Sequence, residues 1–261
     1  MFTLSEGYEH FMGRWSRLLA PAYIAFAGIR DGERIVDVGT GTGSVASALA
    51  AALPSSKIVG IDPSDAFIAY ARSTAGSDRV RFEVGNAQAL RYEDASFDRT
   101  VSLLVMNFIP DHEKALGEMR RVTRAGGGVS ACVWDYDAGM EMLRFFWDEV
   151  VALDRAMEPR DERHMKLSRQ GQLGALWRKS GLTDVQERSL TIEQRYSSFD
   201  DYWAPFLKGA GPGGAYVVSL TEERRRELEA RLRKRLLANR ADGRFTLNAR
   251  AWCVRGNVSA G

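Results

Sequence analysis

The chain has 261 residues, 45% of them hydrophobic and 27% charged, the balance of a folded domain with a large core. Lys and Arg number 36 against 34 Asp and Glu, a net charge of +2 that leaves no basic footprint for nucleic acid. No apolar run reaches transmembrane length and Met1–Gly13 lacks the regions of a secretory signal, so the expected setting is cytoplasmic, away from any membrane.

The two cysteines, Cys132 and Cys253, lie in apolar strand-like runs and read as two buried thiols of a reducing compartment. No Cys/His spacing suits a metal site.

Leu4–Ile29 reads as two short helices broken near Pro21. Its aromatic residues, Tyr8, Phe11, Trp15 and Tyr23 among them, either pack on a sheet or form a lid over a ligand. Arg34–Val45 is the stretch around which the chain is arranged. Ile35, Val36 and Val38 make a β-branched strand carrying one acid, Asp37; Gly39, Gly41 and Gly43 then alternate, and the Ala/Leu-rich segment Ser44–Leu53 is helix-prone. Glycines tolerate positive φ and let a ligand approach the backbone. The helix behind them presents free N–H groups. The spacing is not Gly-x-Gly-x-x-Gly, because Ser44 stands at the third position. An acid two residues before the first glycine disfavours a pyrophosphate, and so a nicotinamide oxidoreductase. It suits a ligand with positive charge or donor groups, such as S-adenosylmethionine, with its sulfonium and α-ammonium.

Lys57–Ile61 is a second strand. Asp62 at its tip either accepts from a ribose diol or caps the helix Ser64–Thr74. Val80–Val84 is strand three, and Asn86 after it either meets an adenine amine or only shapes its turn. Strand four runs from Ser96 to Val105 and ends at Asn107-Phe108-Ile109-Pro110. Asp111–Thr123 follows as a helix with an apolar stripe at Ala115, Leu116, Met119 and Val122. Ala125–Gly128 reads as a turn into strand five, Val129–Trp134. Repeated strand–helix units imply a doubly wound parallel sheet, with its ligands beyond the carboxyl ends of the strands.

Five stretches together resemble the class I S-adenosylmethionine-dependent methyltransferases: Val36–Gly43, Gly60–Ser64, Gly85–Leu90, Ser96–Asp98 and Arg121–Gly127. The nearest likeness is to a bacterial small-molecule branch with a UbiE-like, type 11 core. It extends to Phe11–Ser16, Val133–Tyr136 and Asp201–Phe206. The resemblance implies an α/β fold: a Rossmann-like sheet of seven strands, the last antiparallel, with a helical lid or insertion. It implies residues 1–30 as an N-terminal lid segment and 31–261 as the methyltransferase domain, interrupted by an insertion at 197–242. The cofactor is then S-adenosylmethionine, released as S-adenosylhomocysteine. Its site is expected at Asp37, Gly39, Gly41, Gly43, Asp62, Asn86, Ala87, Gln88 and Leu104, with Arg14 and Trp15 from the N-terminal segment. Many members carry Asp where this chain has Asn86, which keeps an acceptor for the adenine amine and loses a charge.

After strand five, Met140–Met157 and Ser168–Lys179 read as helices, Asp184–Tyr196 as strand six and Arg244–Arg255 as strand seven. The insertion holds a Gly/Pro run at Gly209–Gly214, read as a hinge or lid. Thr221–Asn239 follows as a surface helix with one apolar stripe at Leu228, Leu232 and Leu236. The expected acceptor is a small molecule with an apolar or aromatic body, methylated at O, N or C in line with the methyl–sulfur bond, by a monomer or homodimer. Trp15, Trp134, Tyr202 and Trp203 either wall it or belong to the core. His112, Asp135 and Tyr136 are the candidates for a general base, and His112 reads equally as a surface residue. Two further readings stay open: a cofactor-binding protein without methyl transfer, such as a pericyclase or regulator, and a nucleic-acid methyltransferase. Neither the charge balance nor Asn107–Pro110 supports the latter.

Overall fold

The computed structural model describes residues 7–209, 211–238 and 240–259. The expected starts and ends at Leu4 and Asn239, and Ala210 of the Gly/Pro run, lie outside those residues.

A π-helical turn, Glu9–Gly13, runs straight into helix α1, Arg14–Ala27. Pro21 does not break it. Its ring lies on the exposed side with Ala22, where the missing N–H leaves only one solvent-facing carbonyl without its helical partner. Two expected short helices are therefore one.

The α/β core then follows: β1 Arg34–Val38, α2 Ser44–Ala52, β2 Lys57–Asp62, α3 Asp65–Thr74, β3 Val80–Val84, β4 Phe97–Leu103, α4 His112–Val122 and β5 Thr123–Trp134. Helices α5 Glu141–Leu153 and α6 Gln172–Lys179 lead to β6 Thr183–Tyr196. Three helices, α7 Phe199–Leu207, α8 Gly211–Ser219 and α9 Glu222–Leu237, separate β6 from β7 Phe245–Asn257. The seven strands form one sheet in the order β3-β2-β1-β4-β5-β7-β6, parallel except for β7. Ile35–Val38 and Val129–Trp134 are buried without alternation, because both faces of the sheet centre are covered. The order reverses between β1 and β4, so the carboxyl ends of those two strands open a crevice.

Two local expectations change. Ala125–Gly128 is no turn: α4 passes directly into a longer β5, and the glycines take up an irregularity between the pairs Phe97–Thr123 and Arg99–Gly128. Cys132 and Cys253 are not free thiols. They oppose each other in register across β5 and β7 and are joined as a disulfide, which removes the thiol argument for a reducing compartment.

The insertion is closed at its base by Tyr196 and Phe245, paired in register with rings stacked at 5.0 Å. Leu228, Leu232 and Leu236 of α9 are buried, and Arg235 reaches Asp148 and Glu149 of α5 at 2.8 and 3.2 Å. Gly211–Gly214 forms the first turn of α8, where Gly213 lies too close to Phe146 for a side chain to fit.

Helix α1 is fastened to the sheet by Tyr23. Its buried hydroxyl accepts the Ser102 N–H of β4 at 3.1 Å and shares a hydrogen bond with Ser130 Oγ of β5 at 2.9 Å. Tyr23→Phe strands those partners in the core and should lower stability by about 1–3 kcal/mol in urea unfolding. A loss below about 0.5 kcal/mol would mean that the aromatic ring alone makes the attachment.

Candidate functional site

The β1–α2 turn is built on three positive φ angles, at Gly39 (75°), Gly41 (54°) and Gly43 (89°). The outer two answer to packing. A Cβ on Gly39 would strike the Val105 side chain, and one on Gly43 would meet Phe82 at 3.0 Å. Gly41 alone faces open space, so only there does the bare backbone serve a ligand's approach.

Asp37 is fully buried just before the turn. Its Oδ2 accepts the Thr40 hydroxyl at 2.7 Å and the Ala46 N–H is turned toward the carboxyl, while Oδ1 has no hydrogen-bond partner among the described residues. Burial pushes its pKa up to about 7, with Thr40 working the other way and the Asp62 charge adding to the rise. Asp62, at the tip of β2, accepts the Ser64 and Gly41 N–H groups at 2.9 and 3.0 Å. Its pKa is also raised, chiefly by burial. The two acids thus grip the glycine turn from both sides, and each keeps acceptor capacity in hand.

Leu104 follows β4 with φ of 64°, rare for a leucine, and its N–H is held by the Cys132 carbonyl at 2.7 Å. That left-handed residue turns the chain into the 3-10 helix Met106–Phe108 and places Leu104 on the wall of a cavity of about 350 Å³. Tyr8, Phe11, Phe67, Phe108, Trp134 and Tyr136 supply most of the remaining lining. They come from the N-terminal segment, α3 and the tips of β4 and β5, and Gly209, Gly211 and Pro212 of the insertion close another side.

The other expected residues divide. Tyr136 lines the cavity; burial raises its hydroxyl pKa far above the usual tyrosine range, with the Glu162 charge adding to the rise. Asp135 does not face it. Its Oδ2 pairs with Arg250 at 2.6 Å and its Oδ1 accepts the Ala138 N–H, so the carboxylate is taken up in structure. His112 opens α4 half-buried and is not among the residues lining the cavity. Asn86 is exposed and its side-chain oxygen accepts the Gln88 N–H at 2.9 Å, which ties it to its own turn, with Ala87 and Gln88 half-buried beside it. Arg14 is engaged elsewhere: it pairs with Asp201 of α7 at 2.6 Å and lies over the Trp15 ring at 4.2 Å. Trp15 is packed edge-on against Tyr196, and Tyr202 and Trp203 are buried with it, so of the four expected wall aromatics only Trp134 reaches the cavity.

Two acids went unread in the sequence. Glu9 folds back onto the glycine turn, where it accepts the Thr42 hydroxyl and pairs with Arg17. Glu162 is buried on the cavity wall. It sits in the run Asp161-Glu162-Arg163-His164, whose charges look like a solvated loop, and no spacing in the sequence marks it out.

Residues 36–131 match the family model described as a methyltransferase domain. An uncharacterized protein of Mycobacterium tuberculosis is 32% identical over 118 residues, which is 44% of this chain and 42% of that relative; the chain thus spans less than half of its length. The ubiquinone/menaquinone biosynthesis C-methyltransferase UbiE of Paracoccus denitrificans is 29% identical over 67% of this chain and 76% of its own. Among solved structures, a phosphoethanolamine N-methyltransferase of Haemonchus contortus, in complex with S-adenosylhomocysteine, superposes with a TM-score of 0.59 at 16% identity, covering 100% of this chain and 61% of that one. The [4+2]-cyclase SpnF does so at 0.55 and 17% identity, covering 94% and 81%. At such identities the structures speak for the fold alone.

The Asp37 carboxyl makes a pH prediction. Unfolded, it titrates near about pH 4. Between that value and about 7 the folded protein holds a proton that the unfolded chain has released, so this group's contribution to stability falls as pH rises through that window. Asp37→Asn should therefore gain on the wild type from about pH 4 to 7, with a constant gap above about 8. Thermal unfolding of both proteins across that range checks it; parallel curves would mean that the carboxyl ionises normally. From the sheet order, the acid-flanked glycine turn and the matched family model, residues 36–131 carry a methyltransferase domain of the class I, S-adenosylmethionine-dependent kind.

Proposed function

We propose that this protein transfers a methyl group from S-adenosylmethionine to a small acceptor with an apolar or aromatic body. The observation that carries the reading is the adjacency of an acid-flanked turn and an aromatic-lined cavity at one end of the sheet, with Leu104 at the join. When bound, S-adenosylmethionine supplies a methyl carbon made electrophilic by its sulfonium. The residues fit that group. The unpartnered Asp37 oxygen suits a cationic or N–H-bearing ligand, the open space at Gly41 admits it, and Asp62 has lone pairs for a diol. Asn86, Ala87 and Gln88 stand at the tip of β3, where an adenine edge would lie. The cavity walls then keep water out and hold the acceptor in line. In this reading the N-terminal segment and the insertion form the cover. Arg14 serves it by clasping Asp201 rather than by touching the cofactor.

Asp62→Ala should weaken S-adenosylmethionine binding tenfold or more by isothermal titration, since it removes the acceptor for a diol and the tie to Gly41. Unchanged affinity would sink its assigned role. Incubation with labelled S-adenosylmethionine and a panel of aromatic hydroxyl and amine compounds tests the transfer itself through release of S-adenosylhomocysteine. The likeness to a [4+2]-cyclase keeps one other reading alive, a protein that holds the cofactor without using its methyl. Tight binding with no release for any acceptor would favour it.

A further inference from the structure

The cavity wall is apolar except for a few groups, and the carboxyl of Glu162 is the acid among its lining residues. We propose that Glu162 is the acceptor-binding group of this cavity, taking the hydrogen bond, and then the proton, of a phenol-type hydroxyl on the substrate. The inference rests on the reading of the cavity as an acceptor site.

The geometry prepares one carboxyl oxygen and leaves the other. Trp147 of α5 donates its indole N–H to Glu162 Oε2 at 2.8 Å. The neighbouring charges are matched without Glu162: Asp161 is paired with Arg144 of α5 and with Arg163, the latter at 2.6 Å. Among the described residues Glu162 is thus a buried carboxyl with one fixed hydrogen bond, on the wall of an aromatic cavity, and with no guanidinium paired to it. Buried polar groups need partners, and a ligand with a hydroxyl supplies one. Burial pushes the pKa of Glu162 up to about 7, against the pull of Trp147 and Arg144, so it is poised to take up a proton near neutrality.

Lys208 at the end of the insertion helix α7 lines the same cavity. In the proposed step the O–H bond breaks, the proton goes to Glu162, and the bonding pair stays on the acceptor oxygen as its nucleophilic lone pair. Tyr136, whose electrostatics already feel Glu162, borders the same space. The aromatic rings Phe67, Phe108 and Trp134 hold the flat body of the substrate.

Calorimetric titration without cofactor tests this, so that failure of S-adenosylmethionine to bind would fall on the functional reading alone. The probes are 2-naphthol, 2-methoxynaphthalene and 2-naphthylmethylamine. The wild type should bind 2-naphthol about tenfold or more tightly than its methyl ether. Glu162→Gln, nearly equal in size and able to keep an acceptor for Trp147, should reduce that ratio below about threefold and leave cofactor affinity unchanged. Trp147→Phe keeps the carboxyl and should keep the preference. The proposal is overturned if the wild type does not distinguish naphthol from its ether, if Glu162→Gln preserves the ratio, or if Trp147→Phe abolishes it equally. It is overturned also if the amine binds tighter than the naphthol.

Discussion

The structure depends on a carboxyl held inside the sheet where ionisation is costly. Asp37 stands near the end of β1, pinned by Thr40 on one oxygen and without a partner among the described residues on the other. A side chain of this kind adds little to folding, because burial of a charge is penalised unless it is matched. Its presence at the switch point of the sheet makes sense as a site that is completed by something else. The turn after it is shaped to the same end. Two of its glycines are needed for packing against Val105 and Phe82, and the one between them opens outward.

The aromatic cavity beside that turn is made differently. It is assembled from parts far apart in the chain, which must be fastened to one another before there is a wall at all. Phe11 packs edge-on against Phe206 of α7 at 5.1 Å, and Phe206 stacks on Phe146 of α5 at 4.5 Å. The Arg14–Asp201 pair fixes the same junction from the polar side. Exposed ion pairs contribute little, yet both partners here are three-quarters or more shielded, and Arg14 lies against Trp15 and Tyr196. The insertion and the N-terminal segment are therefore packed into one unit.

This division explains what could be read from the sequence. The turn and the strand tips are local: an acid, three glycines and an apolar run occupy a dozen consecutive residues, and the βα repeat places Asp62 at the next tip. The seven-stranded sheet and its antiparallel last strand followed from the resemblance to a known family. The walls were not legible, because nothing near Phe108 or Glu162 in the chain announces which distant residue will face it. Trp15, Tyr202 and Trp203 could be read as wall or as core, and all three are buried in the packing behind the wall. Arg14, expected at the cofactor, found a carboxylate across 187 positions of chain. Asp135 was the same kind of miss, since its partner Arg250 lies on the returning strand.

Asp37, Asp62 and Glu162 share one electrostatic trait: burial lifts the pKa of each. A surface carboxylate would be held down by solvent and neighbouring cations. These three are instead kept ready to gain from a charge or donor brought in by a ligand. The gain differs with position. Beside the turn it favours a positively charged group, because Asp37 becomes a better partner once ionised. At Glu162, in the proposed reading, the partner is a hydroxyl that donates to the oxygen Trp147 does not hold. One end of a single sheet can then sort two ligands by charge before any bond is made, the cation on the glycine turn and the hydroxyl among the rings.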